Sequence, residues 1–329
     1  MEQQIMKRVT SFDFDPSQSL QDASVIKVSV VPVGEISNSQ FREYESLIKA
    51  FRTITVYEHG EIYNRKDTYF PQQERQGKIH LNFVEKENES NTWEDLQSHK
   101  KTLGIIGIVH CPNWEDLSGV AKEFSTILKE KKNAKGICLA FSPLEHQRDL
   151  DHGVVVMIPN DGKLALYLST LLIDFTKNLL DHLETMYKTI DKATLLYTPL
   201  DPKNTLDDVT RFKKKINGRI QKTKGDYCLL AGSPKDALPF FMSAIDSSKS
   251  QNDLEWQAAA CEAYASTLMI SGVVYDNYPL DNSGDGNIKD KHNKAIIEKC
   301  EEAFMLYGRR KCVELQIEVL MKLVRFYIS

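Results

Sequence analysis

The sequence predicts an α/β domain, a mostly parallel sheet with covering helices, followed by an all-α solenoid of helical hairpins. Three observations carry this prediction. Up to about residue 190, short β-branched or apolar runs alternate with segments of helical period, the pattern of strands joined by crossover helices. After Leu195 the alternation stops, and Pro199, Pro202 and Asn204 mark a crossing. Every segment beyond that crossing repeats at helical spacing. A length of 329 residues suits about two domains.

The elements follow in order. Val25–Val33 (VIKVSVVPV) reads as a strand broken by Pro32 and Gly34. Ser37 and Gln40 fit a capping box, opening a helix whose apolar stripe is Phe41, Tyr44, Leu47, Ile48 and Phe51. Thr53–Tyr57 and Ile79–Val84 read as strands, and Leu103–Val109 is apolar enough to be covered on both faces. Leu117, Val120, Ala121, Phe124, Ile127 and Leu128 define the next helix. Gly136–Phe141 and Val154–Ile158 are further strands, and a long helix starts near Lys163. Polar insertions at His59–Gly77 and Glu85–Lys101 are expected at the surface. The remaining helices are expected at Leu206–Lys224, Lys235–Ser247, Asp253–Ile270, Asn293–Tyr307 and Lys311–Tyr327, with a loop over Tyr275–His292.

The helical part carries one repeat-like unit. Counted from Gly225, the residues Ala237, Phe241 and Ala244 fall where a tetratricopeptide (TPR) unit places small, aromatic and small side chains. There is no fixed 34-residue period, so the expectation is a TPR-like solenoid and not a regular array. The closing segment, Leu320–Ser329, is apolar almost to its last residue. A solenoid needs a polar end, so either a longer protein or a partner is expected to cover this one. The division is therefore a loose tail over 1–24, an α/β domain over 25–190, a linker over 191–204, and helical hairpins over 205–329 that stop short.

Composition limits the function. Forty-two basic against 46 acidic residues give a net charge of −4, which argues against a general nucleic-acid binder. Hydrophobic content of 41% and charged content of 27% exclude wholesale disorder. No run approaches the ~18 apolar residues of a membrane span, and residues 1–22 lack the apolar core of a signal peptide. The six cysteines include no CxxC pair, which points to a reducing compartment, the cytosol.

Chemical motifs are weak. The turn after the first strand, Gly34-Glu35-Ile36-Ser37-Asn38, is not a Gly-rich phosphate cradle, and Pro159–Lys163 offers a single Gly. The sheet is thus expected to have a Rossmann- or GTPase-like shape without a nucleotide site. Asp149, Asp151 and His152 read as a solvated loop, and the histidines show no metal spacing. Asp281–His292 follows a calcium loop at positions 1, 3, 5, 6 and 8 but ends in His292 where a bidentate carboxylate belongs. No cofactor, metal or catalytic residue is assigned. The strongest charge feature is Arg211–Lys224, which holds Arg211, Lys213, Lys214, Lys215, Arg219, Lys222 and Lys224 and no acid. On a helix, Phe212, Ile216 and Ile220 form one apolar line, and Arg211, Lys215, Arg219 and Lys222 form a basic one. It is read as a contact for an acidic partner or an anionic lipid, with Trp93 as a further anchor.

Several blocks then resemble one family. They are Phe212–Gly232, Asp236–Leu238, Asn252–Ala260, Val31–Gly34, and Trp93–Lys100 with Leu103–Ile106. Together they resemble the large TRAPP II complex subunit family, which holds the animal NIK- and IKK-beta-binding protein and yeast Trs120. The resemblance implies a non-catalytic scaffold subunit of a Golgi vesicle-tethering complex. That complex acts as exchange factor for late-Golgi and recycling Rab GTPases. Implied partners are the small core subunits, the other large subunit, indirectly a Rab, and the Golgi membrane peripherally, with no nucleic acid. Two readings stay open beside it: a TPR-type peptide-binding adaptor and a degenerate nucleotide hydrolase.

Overall fold

The structure, a computed structural model, describes residues 17–55, 78–85, 93–113, 117–131, 134–144, 154–159, 162–192, 196–201, 206–271 and 288–328. Among the described residues the β-branched runs form six strands: β1 (Val25–Pro32), β2 (Thr53–Thr55), β3 (Lys78–Val84), β4 (Thr102–His110), β5 (Lys135–Phe141) and β6 (Val155–Ile158). Their order is β2-β3-β1-β4-β5-β6. Only the short edge strand β2 runs antiparallel, pairing Ile54 with Ile79. The sheet is mixed and mostly parallel, as the alternation predicted.

Three helices cover it: α1 (Asn38–Lys49), α2 (Ser118–Glu130) and α3 (Leu164–Thr189). Central β4 is buried on both faces, from Leu103 to Val109, which explains its uninterrupted apolar run. Its two glycines admit the covering helices. A Cβ on Gly104 would meet the Phe175 ring of α3 at 2.8 Å, and one on Gly107 would meet Phe124 of α2 at 2.9 Å. These residues are an odd number apart and so face opposite sides of the sheet.

The helical region comprises α4 (Leu206–Leu230), α5 (Pro234–Ser250), α6 (Leu254–Ser271), α7 (Ile288–Arg309) and α8 (Val313–Ile328). Three connections share one geometry. Gly232, Asn252 and Lys311 adopt positive φ of 73°, 53° and 57°. The amide after each reaches five residues back: Ser233 to Cys228 O, Asp253 to Ser248 O and Cys312 to Tyr307 O, at 2.9–3.0 Å. This is the left-handed closure that ends a helix and reverses the chain within a few residues. It makes α4/α5, α5/α6 and α7/α8 tight hairpins. Gly225 sits beneath Phe241, whose ring would lie 2.5 Å from an added Cβ, so α4 and α5 approach closely.

Two surface expectations are corrected. The tail assigned to 1–24 is corrected over its described part, residues 17–24. Leu20–Ser24 forms a 3-10 turn with Leu20 buried against α4, α6 and α8. The segment from Trp93 to Lys101, expected on the surface, is largely buried, including Trp93, Leu96, Gln97, Ser98 and Lys100. Its polarity is matched by charges on helices far away in sequence. The expectations at 1–16, His59–Gly77 and 86–92 lie outside the described residues. One apolar cluster runs from β1 and α3 through Leu20, Trp93 and Leu96 into α4–α8, so packing crosses the change of architecture.

All six cysteines are free and buried. Burial pushes the thiols of Cys111 to about 11 and Cys138 to about 12, and raises Cys228 and Cys261 further. Thiolate is the reactive form, so Ellman's reagent is expected to label none of the six in native protein and all six in guanidinium. Rapid native labelling would contradict this packing.

Candidate functional site

Helix α4 carries the basic run and separates it into two sets. Lys213 and Lys214 are exposed, and Lys215 is half-buried with its Nζ 3.0 Å from Asp253. Arg219 is 1% exposed and Lys222 is 3% exposed. The side chain of Arg211 lies outside the described residues. The helical period was read correctly, but the direction of the line Lys215–Arg219–Lys222 is corrected: it faces inward. Lys224 lies at the margin, 2.8 Å from Asp191 and over the Tyr187 ring at 5.2 Å. Trp93 is buried and is corrected from surface anchor to core residue.

The inward set finds specific acceptors. Arg219 makes five hydrogen bonds. They run to Asp253 through Nε and Nη2 (2.8 and 3.0 Å), to Asp201 through Nη1 and Nη2 (both 2.8 Å), and to Leu196 O (2.6 Å). Its guanidinium also lies 5.2 Å from the centroid of the buried Trp256 ring. Burial alone would lower this guanidinium's pKa, but the two carboxylates raise it above the usual arginine value. Burial likewise opposes the Asp201 charge, yet hydrogen bonds from Arg219 and Thr198 hold it below the usual carboxylate range. Arg219 thus fastens the crossing segment 196–201 and the start of α6 to α4. Lys222 donates to Asp226 at 2.6 Å and to the Leu96 carbonyl, so the next turn of α4 holds the segment following Trp93.

A second cluster continues this joint across the helices. Glu318 of α8 accepts from Lys100 at 2.8 Å, Gln97 at 3.1 Å and Lys322 at 2.8 Å. Lys322 also donates to Glu262 of α6 at 2.6 Å, and Tyr307 of α7 reaches the same carboxylate at 3.2 Å. Burial would raise the Glu318 pKa, but the Lys322 and Lys100 ammonium groups outweigh it and hold the carboxyl at about 2. Lys322, between two carboxylates, is raised, whereas Lys100 is lowered, its burial outweighing the pull of the Glu318 carboxylate. Burial keeps His99 well below the usual imidazole range, so it is neutral in this cationic setting. Sequence reading missed this cluster. Its one local signal was the Glu318/Lys322 pair at i,i+4 spacing inside an apolar helix.

The sheet's C-terminal edge is where open α/β folds bind ligands, between strands whose connections diverge. Here that place lies between β1 and β4. The N-terminus of α1 is closed by its own capping box: Ser37 Oγ accepts from Gln40 N at 3.3 Å, and Gln40 Oε1 accepts from Ser37 N at 3.4 Å. Gln40 Nε2 lies 3.0 Å from His110 Nε2, and Tyr44 Oη lies 2.9 Å from His110 Nδ1. Tyr44 stacks on Phe141 at 4.0 Å. A polar staple between α1 and β4 therefore stands where a phosphate cradle would. Asp149, Asp151, His152, most of Asp281–His292 and part of Pro159–Lys163 lie outside the described residues. Among the described residues no three metal-ligating side chains converge, and no helix is long and apolar enough to cross a membrane.

A mostly parallel sheet joined through buried ionic contacts to helical hairpins places the chain among α/β modules extended by helices. The family model for the Trs120/TRAPPC9 N-terminal domain matches residues 17–209 and 202–278. The chain belongs to the Trs120/TRAPPC9 family. It is 29% identical over 95% of its length to the trafficking protein particle complex II-specific subunit 120 homolog of Arabidopsis thaliana, and 30% identical over 95% to that of Oryza sativa. It is 26% identical over 82% to trafficking protein particle complex subunit 9 of Homo sapiens. The chain spans 27% of the plant relatives and 23% of the human one, about a quarter of their length.

Proposed function

We propose that this chain is a non-catalytic scaffold portion of a TRAPP II-type vesicle-tethering complex acting on late-Golgi and recycling Rab GTPases. Its partners would be the small core subunits, the other large subunit and, indirectly, a Rab, at the cytoplasmic face of the Golgi. The observation that carries the reading is membership of the Trs120/TRAPPC9 family over most of the chain. The site geometry supports it. The buried charged residues of α4 and α8, Arg219, Lys222, Glu318 and Lys322, join the chain's own parts, and the α1 capping box stands at the usual phosphate position, which favours architecture over nucleotide hydrolysis. Under this reading α4–α8 form a TPR-like solenoid, with 191–204 as the linker from the α/β domain.

The adaptor reading is disfavoured by one observation. The face shared by α4, α6 and α8, where a hairpin solenoid presents its binding surface, is covered by Leu20–Ser24 and Ser98–Lys100. Partner contact falls to the outward residues of α4, Lys213 and Lys214. Tagged chain recovered from cytosol is expected to bring down stoichiometric small TRAPP subunits. Lys213→Glu/Lys214→Glu is expected to lower that recovery several-fold at low salt with an unchanged melting temperature. Well-folded chain that recovers no TRAPP subunit would overturn the scaffold reading; unchanged recovery by the variant would remove Lys213 and Lys214 from the contact.

A further inference from the structure

Antiparallel packing gathers alternate helix ends. The start of α4, the end of α5, the start of α6, the end of α7 and the start of α8 share one end of the helical region. Three contacts fix this: Gly218 lies against Ser247 and Ser248, Lys215 pairs with Asp253, and Arg310 pairs with Glu255. That end is basic. Lys213 and Lys214 of α4, Lys249 of α5, Arg309 of α7 and Lys311 of the α7/α8 turn are all exposed. None of the five forms an ion pair with a described residue. The carboxylates beneath them are buried and already taken, Asp253 by Lys215 and Arg219, Glu255 by Arg310. Glu314 is half-buried, and Asp246 lies a turn earlier on α5. In a chain of net charge −4, exposed positive charge is thus segregated to one end.

The arrangement selects the partner. The cations come from separate helix ends, and packed helices lie roughly 8–10 Å apart. No small anion spans them, whereas an extended anionic surface meets them all. Four of the five are lysines, and among the described residues no exposed aromatic lies in these helix ends. Protein interfaces favour aromatic residues and arginine and are depleted in lysine. Lysine is a hydrated point charge on a flexible stem. It suits the headgroups of an anionic bilayer, where each cation near the surface strengthens binding about fivefold.

We infer that this basic end of the helical hairpins is a docking surface for an anionic lipid bilayer. It is centred on Lys249, Arg309 and Lys311, with Lys213 and Lys214 at its α4 margin. The contact goes beyond the subunit contacts proposed above and does not depend on them. It is tested by co-sedimenting the chain with phosphatidylcholine vesicles, with and without about one-third phosphatidylserine. The chain is expected to sediment with the anionic vesicles alone, and added salt is expected to release it. Lys249→Glu/Arg309→Glu is expected to weaken that binding about thirtyfold or more, at about fivefold for each cation lost. Lys235→Glu/Lys291→Glu makes the same charge change at the opposite end, where α5 and α7 begin. It is expected to bind within about twofold of the parent, since charges beyond a Debye length are screened. Both variants are expected to keep the parent's melting temperature. Lys249 and Arg309 lie outside the α4 contact assigned to TRAPP subunits, so the two readings fail separately. Equal sedimentation with both kinds of vesicle, or equal losses in the two variants, would overturn the inference. So would a chain that leaves the anionic vesicles unbound. If Lys249→Glu/Arg309→Glu then also recovers fewer TRAPP subunits from cytosol, the occupant is an acidic protein surface instead.

Discussion

Arg219→Leu is expected to destabilise the chain by about 3–5 kcal/mol, the range for removing one partner of a buried ionic group. The substitution leaves Asp201 and Asp253 without their main cation; Asp253 is 1% exposed and keeps only the half-buried Lys215. It also strands the Leu196 carbonyl. Thermal denaturation should show a fall of roughly 10 °C, and segment 196–201 should become sensitive to protease. Arg219→Lys should recover little, because a lysine cannot make two bidentate contacts at once. Adding Asp201→Asn to Arg219→Leu should restore part of the loss, since it removes one uncompensated charge. A melting temperature within 1–2 °C of the parent chain would show that Arg219 is not the fastening group.

Glu318→Ala is expected to be comparably damaging, about 3–5 kcal/mol, because it leaves Lys100 without its carboxylate and halves the acceptors of Lys322. This site also carries a pH signature. The folded-state carboxyl titrates at about 2 against an ordinary 4.5. A lowered folded value means stability that is fully present above about pH 4.5 and is lost as the pH falls toward 2. The gap in melting temperature between parent and Glu318→Gln should therefore be widest near neutrality and narrow steadily below pH 4.5. A gap that stays constant down to pH 2.5 would place the acid sensitivity elsewhere.

These two residues illustrate what could be read from the chain. Strand and helix identities were legible because burial on both faces demands apolar runs, as in Leu103–Val109, and burial on one stripe demands the 3.6-residue period, as in α2. The capping box at Ser37 and Gln40 was legible because both halves lie within one turn. The basic line on α4 was legible as a line. Its inward direction was not, since its acceptors Asp201, Asp253 and the Leu96 carbonyl come from three separated segments. A polar loop such as 93–101 looks solvent-facing until Glu318, more than 200 residues later, is brought beside Gln97 and Lys100.

The order of elements, the change from sheet to helices after residue 190, and the family were legible in the chain, because these depend on local period and on ordered blocks of residues. Folding in three dimensions was needed to show which charges are interior, that Leu20 and the Trp93 segment lie against the helices, and that α8 keeps one apolar face outward. The physical reason is that a side chain's type limits what it can pair with, while only the folded path brings the pair within hydrogen-bonding distance and removes the water that would otherwise take the partner's place.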